Sequence, residues 1–243
     1  MPETLFIADL HLDSKWPAKT SLCLKFLAGR ARQAEALYIL GDLFEVWLGD
    51  DDDEPSYQPV LTALHQLTTA GIVVSVMSGN RDFLLGKDFV NYTGCQLIPD
   101  QSVIDLYGVP TLLMHGDVLC TRDVDYQQFR QKVRHPIWQQ QFLAQPLEER
   151  RLLAKQARTY SQTKTQTTAE AIMDVTTEAV ITTLENQGVY QLIHGHTHRA
   201  GQYPLEVKGL PAYRWVVGEW HQQGATLLSC TPSGCQLVNF TNH

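Results

Sequence analysis

The chain has little that would commit it to an oxidised, membrane-spanning or repetitive architecture. Its five cysteines (Cys23, Cys95, Cys120, Cys230 and Cys235) are odd in number, scattered and without a C-x-x-C pair. That usage argues against a disulfide framework and predicts reduced thiols in the cytosol. No apolar run approaches the ~18 residues a spanning helix needs. No basic stretch followed by an apolar one opens the sequence, so no secretory signal is expected. Repeats and low-complexity tracts are absent. Basic residues are outnumbered, 19 Lys and Arg against 26 Asp and Glu, and the formal net charge of −7 disfavours a general nucleic-acid binder. What is present is ordinary for a soluble globular protein: 44% hydrophobic and 19% charged residues over a 243-residue chain, long enough to bury one full core around an insertion.

Short apolar runs alternate with helix-like stretches in the first part of the chain. Thr4–Ala8, Ala36–Leu40, Ile72–Met77, Val103–Leu106 and Pro110–Met114 read as strands, with helices near Thr20–Ala34 and Val60–Ala70. That alternation predicts an α/β fold. From Asp123 to Asn186 the texture turns rich in Gln, Arg, Leu, Ala and Glu, which predicts several helices separated at Pro136 and Pro146. Strands return at Val189–Ile193, Arg214–Val217, Ala225–Ser229 and Gln236–Phe240. The expected organisation is a core of residues 1–122 and 187–243 with a helical cap, 123–186, inserted between them. Nine basic residues from Arg122 to Lys164 stand against four acidic ones (Asp123, Asp125, Glu148 and Glu149), so that stretch is +5 while the rest is −12. Such a basic island fits an anionic ligand or membrane surface, and equally a solvated helical face. The acidic run Asp50–Glu54 reads as a solvated loop.

Five apolar runs end in groups that bind metals. They lead into Asp9-Leu10-His11, Gly41-Asp42, Gly79-Asn80-Arg81-Asp82, His115-Gly116-Asp117 and His194-Gly195-His196-Thr197-His198. In an α/β sheet the C-terminal strand ends open onto a shared crevice, and glycine lets backbone and metal approach closely. A single strand-end Asp is ordinarily a turn or helix cap, and a single His only a polar residue. Five such clusters in succession are another matter. Seven O and N donors (Asp9, His11, Asp42, Asn80, His115, His196 and His198) with no thiolate suit Mn²⁺, Mg²⁺, Fe or Zn²⁺. Seven is too many for one tetrahedral ion and suits two ions sharing a carboxylate. Arg81, with its planar fork, suits phosphoryl oxygens, and Glu45 and Asp117 suit the orientation of ligands.

In order and spacing these motifs resemble the signature of the calcineurin-like metallophosphoesterases. The resemblance implies a four-layer β-sandwich flanked by helices, with one metal held by Asp9, His11, Asp42 and His198, and a second by Asp42, Asn80, His115 and His196. The longer strings LFIADLHL, ALYILGDLFEVWLGDDD, GNRDFLLGK, LYGVPTLLMHGD, AIMDV and LIHGHTHR are similar to the UDP-2,3-diacylglucosamine pyrophosphatase family of lipid A biosynthesis. That likeness implies Mn²⁺-dependent cleavage of the diphosphate to UMP and 2,3-diacylglucosamine 1-phosphate, with two Mn²⁺ ions per subunit and a cap for acyl chains. It implies catalytic roles for Asp42, Asn80, Arg81 and His196, and substrate contacts at Asn80, Arg81, Asp123, Ser161 and His196. Where the family commonly has Asn and Lys after the serine, this chain has Thr165 and Thr168, with Lys164 nearby; these three are carried as candidate contacts. The implied setting is the cytoplasmic face of the inner membrane, held peripherally. The rival readings are a phosphodiesterase or nucleotide pyrophosphatase acting on a soluble substrate, and a metal-bound scaffold without catalysis.

Overall fold

A computed structural model describes residues 2–167 and 170–241; within the helical stretch 160–171 the side chains of Tyr160, Gln162, 164–167, Glu170 and Ala171 are not described. Two sheets face one another. The first has strand order β11-β10-β1-β2-β3-β4, with β1 (Thr4–Ile7), β2 (Ala36–Leu40), β3 (Val73–Met77) and β4 (Gln96–Ile98) parallel and β10 (Gly224–Thr231) and β11 (Gly234–Thr241) joined antiparallel. The second has order β5-β6-β7-β9-β8, in which β6 (Val109–Met114), β7 (Gln191–His194) and β9 (Leu210–Val216) are parallel and β5 (Ser102–Leu106) and β8 (Gly201–Val207) flank them antiparallel.

Alternation along the strands splits the core in three. Phe6, Ala8, Leu40 and Met77 from the first sheet meet Leu113, Ile193 and Trp215 from the second, filling the space between sheets. Leu5, Ile7, Leu37 and Val76 point the other way, onto α1 (Pro17–Ala28), α2 (Gln58–Thr69) and α3 (Lys87–Thr93). On the far side α8 (Thr177–Gln187) buries Val180 and Leu184 against Leu112, Met114 and Leu192. The order helix, sheet, sheet, helix is the four-layer α/β sandwich expected. Parallel strands buried on both faces explain why their sequences are continuous apolar runs rather than alternating ones.

Along the chain, between β6 and α8, come α4 (Val124–Val133), α5 (Pro136–Leu143), α6 (Leu147–Thr167) and α7 (Glu170–Met173). Pro136 opens α5 and Pro146 precedes α6, so both prolines separate helices as expected. The 123–186 stretch also takes in most of α8, whose buried face belongs to the second sheet.

One expectation is corrected and another extended. Cys230 and Cys235 lie opposite each other across β10 and β11, with Cα atoms 4.0 Å apart, and are disulfide-bonded. The scattered spacing concealed them because only hairpin register brings them together; Cys23, Cys95 and Cys120 are free, as expected, and all three are buried. The acidic run is a loop that exposes Asp51 and Asp53, as expected, but it carries specific contacts as well. Asp50 accepts from the backbone N–H groups of Gly86, Asp88 and Phe89 and from Trp47 Nε1, while Asp51 pairs with Arg150 and Asp53 with Arg151 of α6. The run docks the cap.

Candidate metal centre

The seven predicted donors sit where β1, β2, β3, β6 and β7 end, and they face one another. Asp9, Asp42 and His115 are buried. Asp9, His11 and His198 form one group whose ligand atoms lie within 4.8 Å of each other, and Asp9, Asp42 and His115 form another. Asn80 joins them: its Oδ1 lies 2.9 Å from His115 Nε2 and 3.0 Å from His196 Nδ1. Asp42 Oδ2 stands between the halves, 3.7 Å from His11 Nε2 and 3.8 Å from His115 Nε2.

This convergence comes at a local cost. Asp9, His11, Asp42, His196 and His198 all adopt positive φ, between 48° and 68°, a left-handed backbone costing roughly 1–2 kcal/mol per non-glycine residue. Hydrogen bonds hold the turns. His11 N–H donates to Asp42 O at 2.9 Å, Asp9 N–H to Gly41 O at 3.1 Å, and His196 N–H to Asp9 Oδ2 at 2.7 Å. Asp82, wholly buried, accepts from the N–H groups of Leu43 (2.8 Å) and Gly79 (2.7 Å), tying the end of β2 to that of β3. Glycine is required for closeness: a Cβ on Gly79 would stand 2.1 Å from Asp42 Oδ1, and one on Gly195 2.5 Å from Asp9 Oδ2.

The donors fit a divalent cation. Asp9 Oδ1 is buried and has no hydrogen-bond partner, and the imidazole Nε2 atoms of His11 and His198 face each other at 3.4 Å. Burial opposes a proton on His115, yet the charges of Asp42, Asp117 and Asp9 outweigh it and raise its pKa to about 9. Burial likewise opposes a proton on His198, but Asp9 and Glu219 raise its pKa to about 10. Protons thus collect where the carboxylates call for positive charge, the place a metal ion would take. Burial and then His115 depress His196 to about 4, leaving its ring neutral. His115 Nδ1–H donates to Leu40 O at 2.9 Å, which turns Nε2 inward as a ligand atom.

No family model matches the chain. Over 237 residues it is 51% identical to the UDP-2,3-diacylglucosamine hydrolase of Cellvibrio japonicus (strain Ueda107), a match covering 98% of each chain. A UDP-2,3-diacylglucosamine hydrolase of Salmonella typhi is 46% identical over the same length, again covering 98% of each. The chain belongs to the UDP-2,3-diacylglucosamine hydrolase family. At the level of fold alone, a hypothetical protein of Pyrococcus horikoshii OT3 superposes with a TM-score of 0.50 at 11% identity, covering 99% of this chain and 88% of that one.

In this member of the UDP-2,3-diacylglucosamine hydrolase family five of the seven donors (His11, Asp42, Asn80, His196 and His198) line one cavity of about 1450 Å³ together with Arg81, Asp123 and Ser161. Thr168 lies outside the described residues, as do the side chains of Lys164 and Thr165. Glu45 Oε2 is 3.0 Å from His11 Nδ1, the ligand-orienting contact expected of it. Asp117 instead receives Tyr126 Oη–H at 2.5 Å and Arg130 Nε–H at 2.8 Å, so it ties α4 to the β6 end. Sequence reading missed Glu219, 2.9 Å from His198 Nδ1, and Arg134, whose Nη2 donates to Gly79 O at 2.7 Å. Glu219 follows the apolar run Trp215-Val216-Val217 in Gly218-Glu219-Trp220-His221, a strand-end signal that could have found it, whereas Arg134 lies inside the cap and only the fold reveals it.

Proposed function

We propose that the chain hydrolyses the diphosphate of UDP-2,3-diacylglucosamine to UMP and 2,3-diacylglucosamine 1-phosphate, a step of lipid A biosynthesis, using two Mn²⁺ ions with Asp42 as the shared carboxylate. The observation that carries this reading is a second, apolar cavity of about 500 Å³ lined by Trp47, Phe83, Phe129, Trp138, Phe142 and Leu153. It shares Asn80 and Arg81 with the metal-donor cavity. A phosphoryl site that opens onto an aromatic and aliphatic groove suits a substrate whose polar end is a diphosphate and whose other end is acylated. The names of the relatives above support the same substrate.

The roles follow from position. Asp9, His11, Asp42 and His198 would hold one ion, and Asp42, Asn80, His115 and His196 the other. Divalent ions there supply charge that stabilises phosphoryl oxygens and lower the pKa of water towards neutrality. Arg81 N–H donates to Asp42 Oδ1 at 2.8 Å, so its backbone is fixed to a metal donor while its guanidinium reaches the cavity to offset charge on the phosphoryl group. His196, neutral and stacked on Tyr126 with ring centroids 6.2 Å apart, would contact the same group. Asp123 and Ser161, which line the same cavity, would contact the sugar and acyl amides, and Lys164, Thr165 and Thr168 are kept as candidate contacts from the sequence alone. We assign 123–173 to the cap and α8 to the core.

For location we infer the cytoplasmic face of the inner membrane, held peripherally. No helix among the described residues is long and apolar enough to cross a membrane. The cap exposes Ile137 (60%) and Leu152 (57%) within its basic stretch, a combination suited to an anionic lipid surface. The test is UMP release from UDP-2,3-diacylglucosamine with and without Mn²⁺, against an acyl-free UDP-sugar. Release that ignores Mn²⁺ overturns the metal assignment. Equal kcat/KM for the two substrates overturns the lipid one and favours a soluble substrate.

A further inference from the structure

Two guanidinium groups stand where the polar cavity meets the apolar groove, and one of them is ion-paired to Glu45. Arg81 and Arg158 line both spaces. Arg158, on α6, donates to Glu45 Oε1 at 2.5 Å, while the other oxygen of Glu45 is engaged 3.0 Å from His11 Nδ1. Arg81 has no carboxylate at ion-pair distance among the described residues, and its buried Nε has no hydrogen-bond partner. The two cations feel each other, since burial and then the charge of Arg81 lower the pKa of Arg158. Glu45, the carboxylate that ion-pairs Arg158, is itself committed to a metal donor, so N–H groups of both guanidinium groups remain for a ligand in the cavity. A buried guanidinium N–H without a partner is costly unless an anion completes it.

The reach of Arg158 is fixed rather than floppy. Eight residues earlier on α6, Arg150 is only 2% exposed, and its guanidinium donates to Leu48 O at 2.6 Å and to Gln145 O at 3.1 Å as well as to Asp51. Two helical turns separate the anchor from Arg158, so both side chains project from nearly the same face of α6 towards the core.

We propose that Arg158 is a substrate-binding residue which, with Arg81, clamps the phosphate that remains on the acylated glucosamine. This rests on the function proposed above. That phosphate is the group lying between the scissile bond and the acylated sugar, and the junction of the two cavities is where it must sit. Glu45 keeps one Nη of Arg158 and holds the fork in plane; the remaining N–H groups turn to the phosphoryl oxygens, a geometry that guanidinium fits and ammonium does not.

The test measures binding to the Mn²⁺-loaded chain of two ligands, 2,3-diacylglucosamine 1-phosphate and phosphate-free 2,3-diacylglucosamine. Arg158→Gln is expected to weaken the phosphorylated ligand by roughly tenfold or more relative to the phosphate-free one, the worth of a charge-assisted hydrogen bond. Equal losses for both ligands would show a packing role and overturn the proposal, as would no loss for either. Should circular dichroism show Arg158→Gln unfolded, Arg158→Met, which keeps the packed stem, decides on the same two outcomes. Absence of UMP release by the parent chain would overturn the function reading in a separate assay, while the phosphate preference would still decide the role of Arg158.

Discussion

Replacing Gly79 by Ala separates closeness from every other reason for a glycine. Gly79 is not among the positive-φ glycines, so alanine can adopt its backbone without conformational penalty. The added Cβ, however, would stand 2.1 Å from Asp42 Oδ1 and 2.3 Å from Asp42 N. Ordinary contact begins near 3.4 Å, so β2 and β3 ends must part by roughly 1 Å. Asp42 Oδ2 is 3.7 Å from one histidine and 3.8 Å from another, and the shift spoils its position between them. Displacement of about 1 Å at a reacting centre costs on the order of a hundredfold in rate. Overpacking adds roughly 1–3 kcal/mol of instability. The assay is UMP release against Mn²⁺ concentration, with melting to confirm that the variant is folded. The expected result is a folded chain needing far more Mn²⁺ and turning over on the order of a hundredfold more slowly. Parent-like Mn²⁺ dependence would refute the argument that Gly79 exists to admit the Asp42 carboxylate. Gly108→Ala is the converse control: nothing lies within 4 Å of its Cβ but φ is +87°. It should cost about 1 kcal/mol of stability and leave kcat/KM unchanged.

Other outcomes can be measured on the same preparations. Asp42→Ala should abolish Mn²⁺-dependent UMP release, and activity near that of the parent would remove Asp42 from the shared position. In the metal-free chain the folded-state pKa values of His115 (about 9) and His198 (about 10) lie above the ordinary histidine value of 6.5. Their stabilisation is therefore complete below pH 6.5 and fades as pH rises through 9 to 10, which melting against pH will show. Metal must displace those protons, so apparent Mn²⁺ affinity should fall as pH is lowered from 9 to 6, by up to about tenfold per pH unit for each proton released; calorimetric titration reporting no pH dependence would contradict this. Arg150→Met leaves the carbonyls of Leu48 and Gln145 without their donor and should lower stability by roughly 1–3 kcal/mol in urea unfolding, whereas Asp51→Ala, removing a 65% exposed partner, should cost under about 1 kcal/mol.

Much of the site was legible in the chain because ligand and strand share a signal. β2, Ala36–Leu40, is bounded as its apolar run predicts, and β1, β3 and β6 differ by one residue at an end. The run stops where Asp42, Asn80 or His115 begins, since a strand end is where a side chain can leave the core for a crevice. Weak elements escaped notice. β4 has three residues, none fully buried, and β8 alternates at the edge of its sheet around Pro204, so neither carries a continuous apolar run. Glu219 did follow an apolar run, in Gly218-Glu219-Trp220-His221, but without the Asp or the second His that marked the other strand ends. Arg134 and Arg158 escaped for a different reason: their contacts, to Gly79 O and to Glu45, join segments far apart in sequence, and no local pattern encodes such a pairing. The pairing of the acidic run with Arg150 and Arg151 is of the same kind: like charges adjacent in sequence read as repulsive until α6 is laid across them.

The first metal donor is positioned by the last part of the chain. β1 lies between β2 and β10, with Thr4 opposite Cys230, and Trp220 N–H donates to Asp9 O at 3.3 Å. Loop closure over more than two hundred residues must precede that pairing, which makes it a slow, late event in folding. Metal competence is therefore a property of the finished chain: a nascent polypeptide that has already formed β2, β3 and β6 still lacks the frame that presents Asp9. In a refolding experiment Mn²⁺ uptake should trail the appearance of helix and sheet signals. An ion present from the start should slow unfolding far more than it speeds folding.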